Sequence, residues 1–284
     1  MQQSSFKGRF IVGLIIAFIG WMIYINQTEE NPVTGQKQHL TLTPSQEISL
    51  GLESAPVMAR EMGGEVSASD PHAQEVQKIG TYLVDHTIAK KSPWKFKFHL
   101  IADTKTINAF ALPGGQIFIT QGLYDKLQTE AQLAGVLSHE MGHVIERHSA
   151  QQMAKSQLGQ VLIVAVGAAA SDPNHQTYGP TLVASLVNQM FQLRYSRHDE
   201  SEADTWGLKL MSEAGYDPKA MIQVMEILKA SGSRGQTPEI FQTHPNPELR
   251  IQQIEAYLKE HPPEANLSEG KKLKDLSNST EEKS

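Results

Sequence analysis

Apolar residues recur along the chain with two spacings, and these spacings predict its helices and strands. Thr43 and Asp70 each precede a proline and a run of apolar residues at helical spacing, so each predicts the start of a helix. We expect the first of these two helices to end near Met62. Residues 94–100 alternate apolar and polar side chains, as a strand does. Residues 108–120 read as two short strands joined at a Pro-Gly-Gly turn.

Helical spacing then dominates the second half of the chain. Capping residues, prolines at first helical positions and terminal glycines delimit four further helices, over residues 181–193, 194–214, 217–230 and 246–260. The pattern therefore predicts a mainly α fold of the α+β class with one small sheet.

The helix expected to begin at Thr129 carries the most specific motif. Thr129 and Gln132 have the spacing of a capping box, and the apolar positions continue to Ile145. Within this helix lies His139-Glu140-Met141-Gly142-His143, an HExxH pattern. Only about 0.03 such matches are expected by chance in a chain of this composition. Histidines one turn apart can share a zinc ion, and the adjacent glutamate can act on a water molecule.

A catalytic zinc ion usually has three protein ligands, so one more is required. Glu200 and Asp204 lie one turn apart and share a helix face, whereas Glu202 points about 160° away from it. We therefore expect Glu200 to be the third ligand and Asp204 to support a histidine N–H group. A solvated acidic first turn is the alternative.

His244 is the last candidate near the metal. It precedes Asn246 and Pro247, which predict the cap and the first position of a helix. It can reach the metal or a developing oxyanion, or it is a surface loop histidine.

The strand over Asn108, Ala109, Phe110, Ala111 and Leu112 has two interpretations that can both hold. It is half of a hairpin, and it is an edge strand whose free N–H and C=O groups bind an extended peptide.

The N-terminus carries an apolar run of sixteen residues, Phe10 to Ile25, without a charge. Lys7 and Arg9 precede it, so the positive-inside rule places the N-terminus in the cytoplasm and the remaining chain across the membrane. We expect an uncleaved signal anchor, with a cleaved signal peptide as the alternative. A second apolar run, residues 158–170, is too short to span a bilayer and is expected to be a core helix or a lid.

Composition excludes several classes of protein. The chain has 284 residues, a net charge of −6 and no basic block, so nucleic acid is not an expected partner. It has no cysteine, which excludes disulfides, thiolate metal sites and a cysteine nucleophile.

Four motifs in this order resemble one family of zinc metallopeptidases, which includes the CAAX prenyl protease, HtpX, the OMA-type protease and BepA. They are NAFALPGGQIFIT, SHEMGHVIERH, SRHDESEAD and THPNPELRI, and the resemblance covers about residues 43–257. It implies a zincin-like helical domain whose small sheet edges the active-site cleft. It also implies His139, His143 and Glu200 as zinc ligands and Glu140 as general base. Asp204 corresponds to the supporting acid, His244 to a histidine that approaches the zinc, and Arg250 to a basic residue near the active site.

The expected domain organisation has five parts: a cytoplasmic N-terminus (1–9), a transmembrane signal anchor (10–26), a linker (27–42), the zinc metallopeptidase domain (43–261) and a disordered tail (262–284). The sequence differs from the prenyl protease and HtpX in showing one candidate span. It differs from BepA in that it ends soon after the THPNPELRI helix, where BepA continues into a helical repeat domain.

The expected function is hydrolysis of peptide bonds in misfolded or misassembled envelope proteins by zinc-activated water. The expected location is the bacterial inner membrane with the catalytic domain in the periplasm, or the periplasm itself after signal cleavage. Two alternatives are a chaperone-like binding module and a latent protease in which His244 blocks the zinc.

Overall fold

The computed structural model describes residues 28–40, 42–155, 180–232 and 238–273. The strands are β1 (Thr28–Glu30), β2 (Lys37–His39), β3 (Lys97–Ile101), β4 (Ala109–Leu112) and β5 (Gln116–Thr120). The helices are α1 (Pro44–Glu61), α2 (Pro71–Asp85), α3 (Gln121–Tyr124), α4 (Glu130–Ile145), α5 (His148–Lys155), α6 (Pro180–Phe191), α7 (Arg197–Glu213), α8 (Ala220–Ala230), α9 (Ile240–Thr243) and α10 (Pro247–Glu260). The fold is mainly helical, as the residue pattern predicts, but it has two small sheets where one was predicted.

Two predicted apolar segments, the signal anchor at 10–26 and the run at 158–170, lie outside the described residues. Within the described ranges, no helix combines the length and the apolar character that a bilayer crossing requires.

The first two helices begin where their capping residues predict. Thr43 and Gln46 form a reciprocal capping box, in which the Thr43 N–H donates to Gln46 Oε1 at 2.9 Å. The Asp70 side chain accepts hydrogen bonds from the first turn of α2. These caps satisfy backbone N–H groups that a helix leaves unpaired at its start.

The predicted hairpin forms and becomes part of a three-stranded sheet with the order β3-β5-β4. β4 runs antiparallel to β5, and β3 runs parallel to it. The predicted strand over residues 94–100 is correct only in its second half, where β3 lies. Trp94 is buried, but it lies ahead of this strand. β4 is an edge strand of this sheet, as expected.

The helix that carries the HExxH motif packs directly against α7. Gly142 makes this close contact possible, since a Cβ atom there would lie 2.8 Å from the backbone oxygen of Ala203. Every residue of α4 after Glu130 is buried. Helix α4 is therefore the central element of the core.

Three predicted caps differ in detail. Thr129 Oγ1 accepts from the Gln132 N–H, but the Gln132 side chain accepts from Gln128 instead, so the capping box is only half formed. Asn246 adopts a left-handed conformation (φ 62°) and makes no side-chain cap. The helix predicted from Asp217 begins at Ala220, because the intervening residues form a turn.

The predicted linker at 27–42 contains the hairpin of β1 and β2, which binds the C-terminal end of α4. Asn31 Nδ2 donates to the Ile145 carbonyl at 2.8 Å, and Gln38 Nε2 donates to the Glu146 carbonyl at 2.9 Å. Arg147 Nη2 donates to the Leu42 carbonyl at 2.8 Å. This stretch is thus part of the folded domain.

The tail predicted to be disordered from residue 262 binds the other end of α4. Backbone N–H groups of Glu130 and Ala131 donate to the carbonyls of Lys271 and Glu269. Leu273 is buried against the core. The prediction of disorder is wrong for this part of the tail, where backbone hydrogen bonds replace the large apolar residues that the sequence lacks.

Candidate metal centre

Four side chains from three separate parts of the chain converge at one buried point. His139 and His143 come from α4, Glu200 from the first turn of α7, and His244 from the residue after α9. One donor atom from each lies within 4.8 Å of every other. The structure therefore brings together the three predicted ligands and the histidine that had two interpretations.

The spacing of these donor atoms fits a zinc ion. Tetrahedral zinc with bonds of about 2.0–2.1 Å holds neighbouring ligand atoms about 3.3 Å apart. His139 Nε2 lies 3.1 Å from His143 Nε2 and 3.3 Å from His244 Nδ1. Glu200 Oε1 lies 3.0 Å from His244 Nδ1 and 3.6 Å from His143 Nε2. Imidazole and carboxylate donors at these distances suit zinc.

Glu140 lies beside this donor set, as the motif predicts. Its Oε1 atom is 3.6 Å from His244 Nε2. Among the described residues its Oε2 atom has no hydrogen-bond partner, although it is buried. Burial raises the pKa of the Glu140 carboxyl, while the nearby His244 and His139 act to lower it. A buried carboxylate with a free oxygen is equipped to accept a proton from a water molecule.

Arg250 joins the two acidic residues of α7. Its guanidinium donates to both Asp204 oxygens, at 2.8 and 2.6 Å, and lies 2.8 Å from Glu200 Oε2. Asp204 Oδ1 in turn lies 2.9 Å from His139 Nδ1. Asp204 and Arg250 thus lie within one contact of the donor set, as expected.

Arg250 also keeps both carboxylates ionised. Burial raises the pKa of Asp204, but the Arg250 charge and its hydrogen bonds outweigh burial and hold that pKa below its ordinary value. The pKa of Glu200 is likewise lowered, since Arg250 and His244 outweigh the effect of burial. Glu200 is therefore available as an anionic donor at neutral pH.

His148, Glu202 and Tyr195 complete the surroundings of His143. His148 Nδ1 lies 2.8 Å from His143 Nδ1, and His148 Nε2 lies 3.2 Å from Glu202 Oε2. The Tyr195 ring stacks on the His143 ring with centroids 3.8 Å apart.

Sequence reasoning gave none of these three residues a role. Arg147 has a positive φ of 61°, so the chain bends after α4 and returns His148 to His143. The Arg-His pair that closes the motif SHEMGHVIERH is the signal that could have indicated His148.

The strand proposed to bind substrate is covered. Asn108 and all four residues of β4 are buried. The Ala111 carbonyl accepts a hydrogen bond from Ser149 Oγ at 3.2 Å. The edge is correctly predicted, but its backbone groups are not all free.

An apolar pocket of about 30 Å³ opens beside Glu140 and His244. Residues of α8 and α9, including Met221, Met225 and Ile240, form half of its lining. It offers space for a small apolar group next to the candidate metal centre.

Comparison with known proteins identifies the chain's relatives. The model of Peptidase family M48 matches residues 71–258. The chain is 32% identical to "Mitochondrial metalloendopeptidase OMA1" of Schizosaccharomyces pombe, over 89% of the chain and 72% of that protein. It is 31% identical to "Beta-barrel assembly-enhancing protease" of Escherichia coli K12, over 80% of the chain and 47% of that protein. It is 28% identical to "Metalloendopeptidase OMA1, mitochondrial" of Danio rerio, over 87% of the chain and 54% of that protein.

The chain thus spans about half the length of the last two relatives. The matched region includes all four donor residues, Glu140 and Arg250. It confirms the family resemblance drawn from the four motifs and the zinc cofactor expected with it. The chain belongs to Peptidase family M48, a family of zinc-dependent metallopeptidases.

Proposed function

We propose that the chain is a zinc-dependent endopeptidase with His139, His143 and Glu200 as zinc ligands. The observation that carries this proposal is the convergence of these three donors beside Glu140, whose buried Oε2 atom has no hydrogen-bond partner among the described residues. The names of the relatives, two metalloendopeptidases and one protease, support the same class of reaction.

The reaction divides between the metal and the side chains of this chain. Zinc, when bound, lowers the pKa of a coordinated water to about 7 and polarises a carbonyl oxygen. Glu140 accepts the water proton and delivers it to the leaving amide nitrogen. Asp204 accepts a hydrogen bond from His139 Nδ1 and so fixes the orientation of that imidazole. Arg250 holds the Glu200 and Asp204 carboxylates in place and ionised.

The proposed substrates are unfolded or misassembled proteins. An extended peptide can add to the edge of β4 through main-chain hydrogen bonds, which require an unfolded segment. The apolar pocket beside Glu140 would take a small apolar side chain next to the scissile bond.

The proposed location is an envelope membrane. The N-terminal apolar run supports a signal anchor, with the catalytic domain in the periplasm of a bacterium. The names of the relatives, one a β-barrel assembly-enhancing protease and two mitochondrial metalloendopeptidases, support a role at a membrane.

A latent form of the enzyme is a second candidate, favoured by two observations. His244 Nδ1 occupies a fourth position around the donor set, where substrate and water need access. β4 is buried, and one of its carbonyls is bonded to Ser149. A protein that holds clients without cleaving them would share this closed geometry but has no need of Glu140.

The central test is degradation of casein by the zinc-loaded chain, together with metal analysis. Glu140→Gln should lower the rate at least about 100-fold while the bound zinc is unchanged, because only the proton acceptor is lost. A chelator should abolish the activity of the parent, and added zinc should restore it. Full activity in Glu140→Gln would rule out this mechanism.

His244→Ala separates latent from constitutive activity. A rise in casein degradation above the parent indicates that His244 blocks the metal. A fall indicates that His244 assists the transition state.

A further inference from the structure

Two groups next to the metal centre, the buried His148 and the partly exposed Glu202, have no part in the proposed reaction. His148 is almost fully buried and faces His143 through its Nδ1 atom, 2.8 Å from His143 Nδ1. On its other side, His148 Nε2 lies 3.2 Å from Glu202 Oε2. The three side chains form an unbroken line from the donor set to the surface, where 24% of the Glu202 side chain is exposed.

The proton between the two imidazoles has only one consistent position when His143 is a metal ligand. His143 directs Nε2 to the donor set, so this atom must present its lone pair and the ring proton must lie on Nδ1. His143 Nδ1–H then donates to His148 Nδ1. Because His148 accepts through Nδ1, its own ring proton lies on Nε2, which donates to the Glu202 carboxylate.

We propose that His148 and Glu202 are positioning residues that fix the tautomer and orientation of the ligand His143. The inference rests on the proposed zinc site. His139 has its own carboxylate, Asp204, in direct contact at 2.9 Å. His143 reaches its carboxylate only through a second imidazole, which the positive φ of Arg147 turns back towards it.

A second metal site is the competing explanation for the same residues. Donor atoms of His148, Asp199 and Glu202 lie close enough together to hold an ion. Two contacts argue against it. Asp199 Oδ2 already accepts from the Ser196 N–H at 2.9 Å and from Gln152 Nε2 at 3.3 Å. In the tautomer derived above, His148 Nε2 donates to Glu202 and so offers no lone pair to a metal.

The test follows the loss of zinc from the loaded, full-length protein to a chromophoric chelator. Glu202→Ala and His148→Leu should release zinc about 10-fold faster or more, since loss of such a supporting contact typically weakens metal binding 10- to 100-fold. His148→Gln keeps an acceptor for His143 and a donor for Glu202, so it should restore much of the retention. The matched control is His198→Ala, which removes an exposed contact 3.5 Å from the other Glu202 oxygen.

A spectroscopic measurement excludes a merely structural effect. In the cobalt-substituted protein, Glu202→Ala should shift the visible absorption bands, because the basicity and orientation of one ligand change. His198→Ala should leave the bands unchanged. Glu202 is partly exposed, so Glu202→Ala and Glu202→Gln carry the test even if His148→Leu does not fold.

The outcomes are distinct. If Glu202→Ala releases zinc at the rate of His198→Ala, or His148→Gln is no better than His148→Leu, the positioning role is wrong while the zinc site stands. Two zinc ions per parent chain, falling to one in Glu202→Ala, would show a second metal site instead. A parent that binds no zinc would overturn the proposed function itself.

Discussion

Arg250 illustrates how much of the site depends on one buried side chain. Its guanidinium contacts both Asp204 oxygens and Glu200 Oε2, so one cation balances two buried carboxylates. A planar group with donors in a fixed fork can make these contacts at once, which lysine cannot. Arg250 thereby connects the ligand Glu200 to Asp204, the residue that supports His139.

Arg250→Met should destabilise the protein by about 3–5 kcal/mol and lower its zinc content, because it leaves two buried charges without their cation. In the parent, Asp204 has a lowered pKa, and the stability it contributes is present above its unfolded value of 3.8 and lost as pH falls through the folded value. In the variant, burial acts on Asp204 without Arg250 and raises its pKa. A carboxyl group whose pKa is higher in the folded than in the unfolded protein makes folding more favourable at low pH than at higher pH.

The loss of unfolding free energy in Arg250→Met, relative to the parent, should therefore be larger at pH 7 than at pH 5. Urea unfolding at both pH values measures it, with the exposed Arg60→Met as control. A deficit that is equal at both pH values would contradict the electrostatic role of Arg250.

At the scale of elements, the contact between α4 and α7 determines whether Glu200 reaches the two histidines. Gly142 allows this contact, since an added Cβ would meet the Ala203 backbone at 2.8 Å and the Trp206 Cβ at 3.0 Å. Gly135, on the same helix, would meet flexible side chains instead of backbone, Met221 at 3.2 Å and Met211 at 3.5 Å.

Gly142→Ala should destabilise the protein by about 1–3 kcal/mol and weaken zinc binding, because α7 must move away from α4. Gly135→Ala is the matched control, and helix propensity alone predicts that it stabilises by up to about 1 kcal/mol. Thermal unfolding and zinc competition measure both variants. If Gly142→Ala also stabilises the protein and keeps its zinc affinity, close packing at Gly142 is not needed.

The hairpin of β1 and β2 stabilises the end of α4 that carries His143. The Asn31 amide binds the Ile145 carbonyl, one of the last carbonyls that the helix leaves unpaired. Its other atom, Oδ1, accepts from the backbone of Val33 and Thr34 and shapes the turn.

Asn31→Asp keeps these turn contacts but loses the donor to Ile145. It should destabilise the protein by about 1–3 kcal/mol, the cost of a buried carbonyl without its partner. It should also speed amide hydrogen exchange over residues 143–147. The exposed Lys37→Ala in the same hairpin should change neither quantity, and exchange rates equal to the parent's in Asn31→Asp would contradict the role of the hairpin.

At the scale of the whole molecule, local sequence signals correctly predicted the features that depend on residues close together in the chain. Capping residues and apolar spacing located α1, α2, α4 and the pair β4–β5, and the one-turn spacing of His139 and His143 indicated the metal. The closure of the site is not local: Arg250 Nη2 lies 3.2 Å from His139 Nδ1 although 111 residues separate them. The predictions for the hairpin at 28–39 and the tail at 269–271 were wrong for the same reason. Polar side chains of the hairpin and backbone carbonyls of the tail bond to the two ends of α4.

The proposed pairing of substrate with β4 predicts how the enzyme selects proteins. In the proposed mode of binding, a peptide must be extended to pair with the edge strand β4, so a folded domain has to unfold before it can present a segment. The cleavage rate should then follow the unfolded fraction of the substrate when unfolding is fast relative to cleavage. For variants of one small reporter domain, each loss of about 1.4 kcal/mol in stability should raise the rate about tenfold until the domain is mostly unfolded. A permanently unfolded tail on the same reporter serves as internal control and should be cut equally in all variants, whereas reporter rates that do not depend on stability would show that the enzyme recognises folded surfaces.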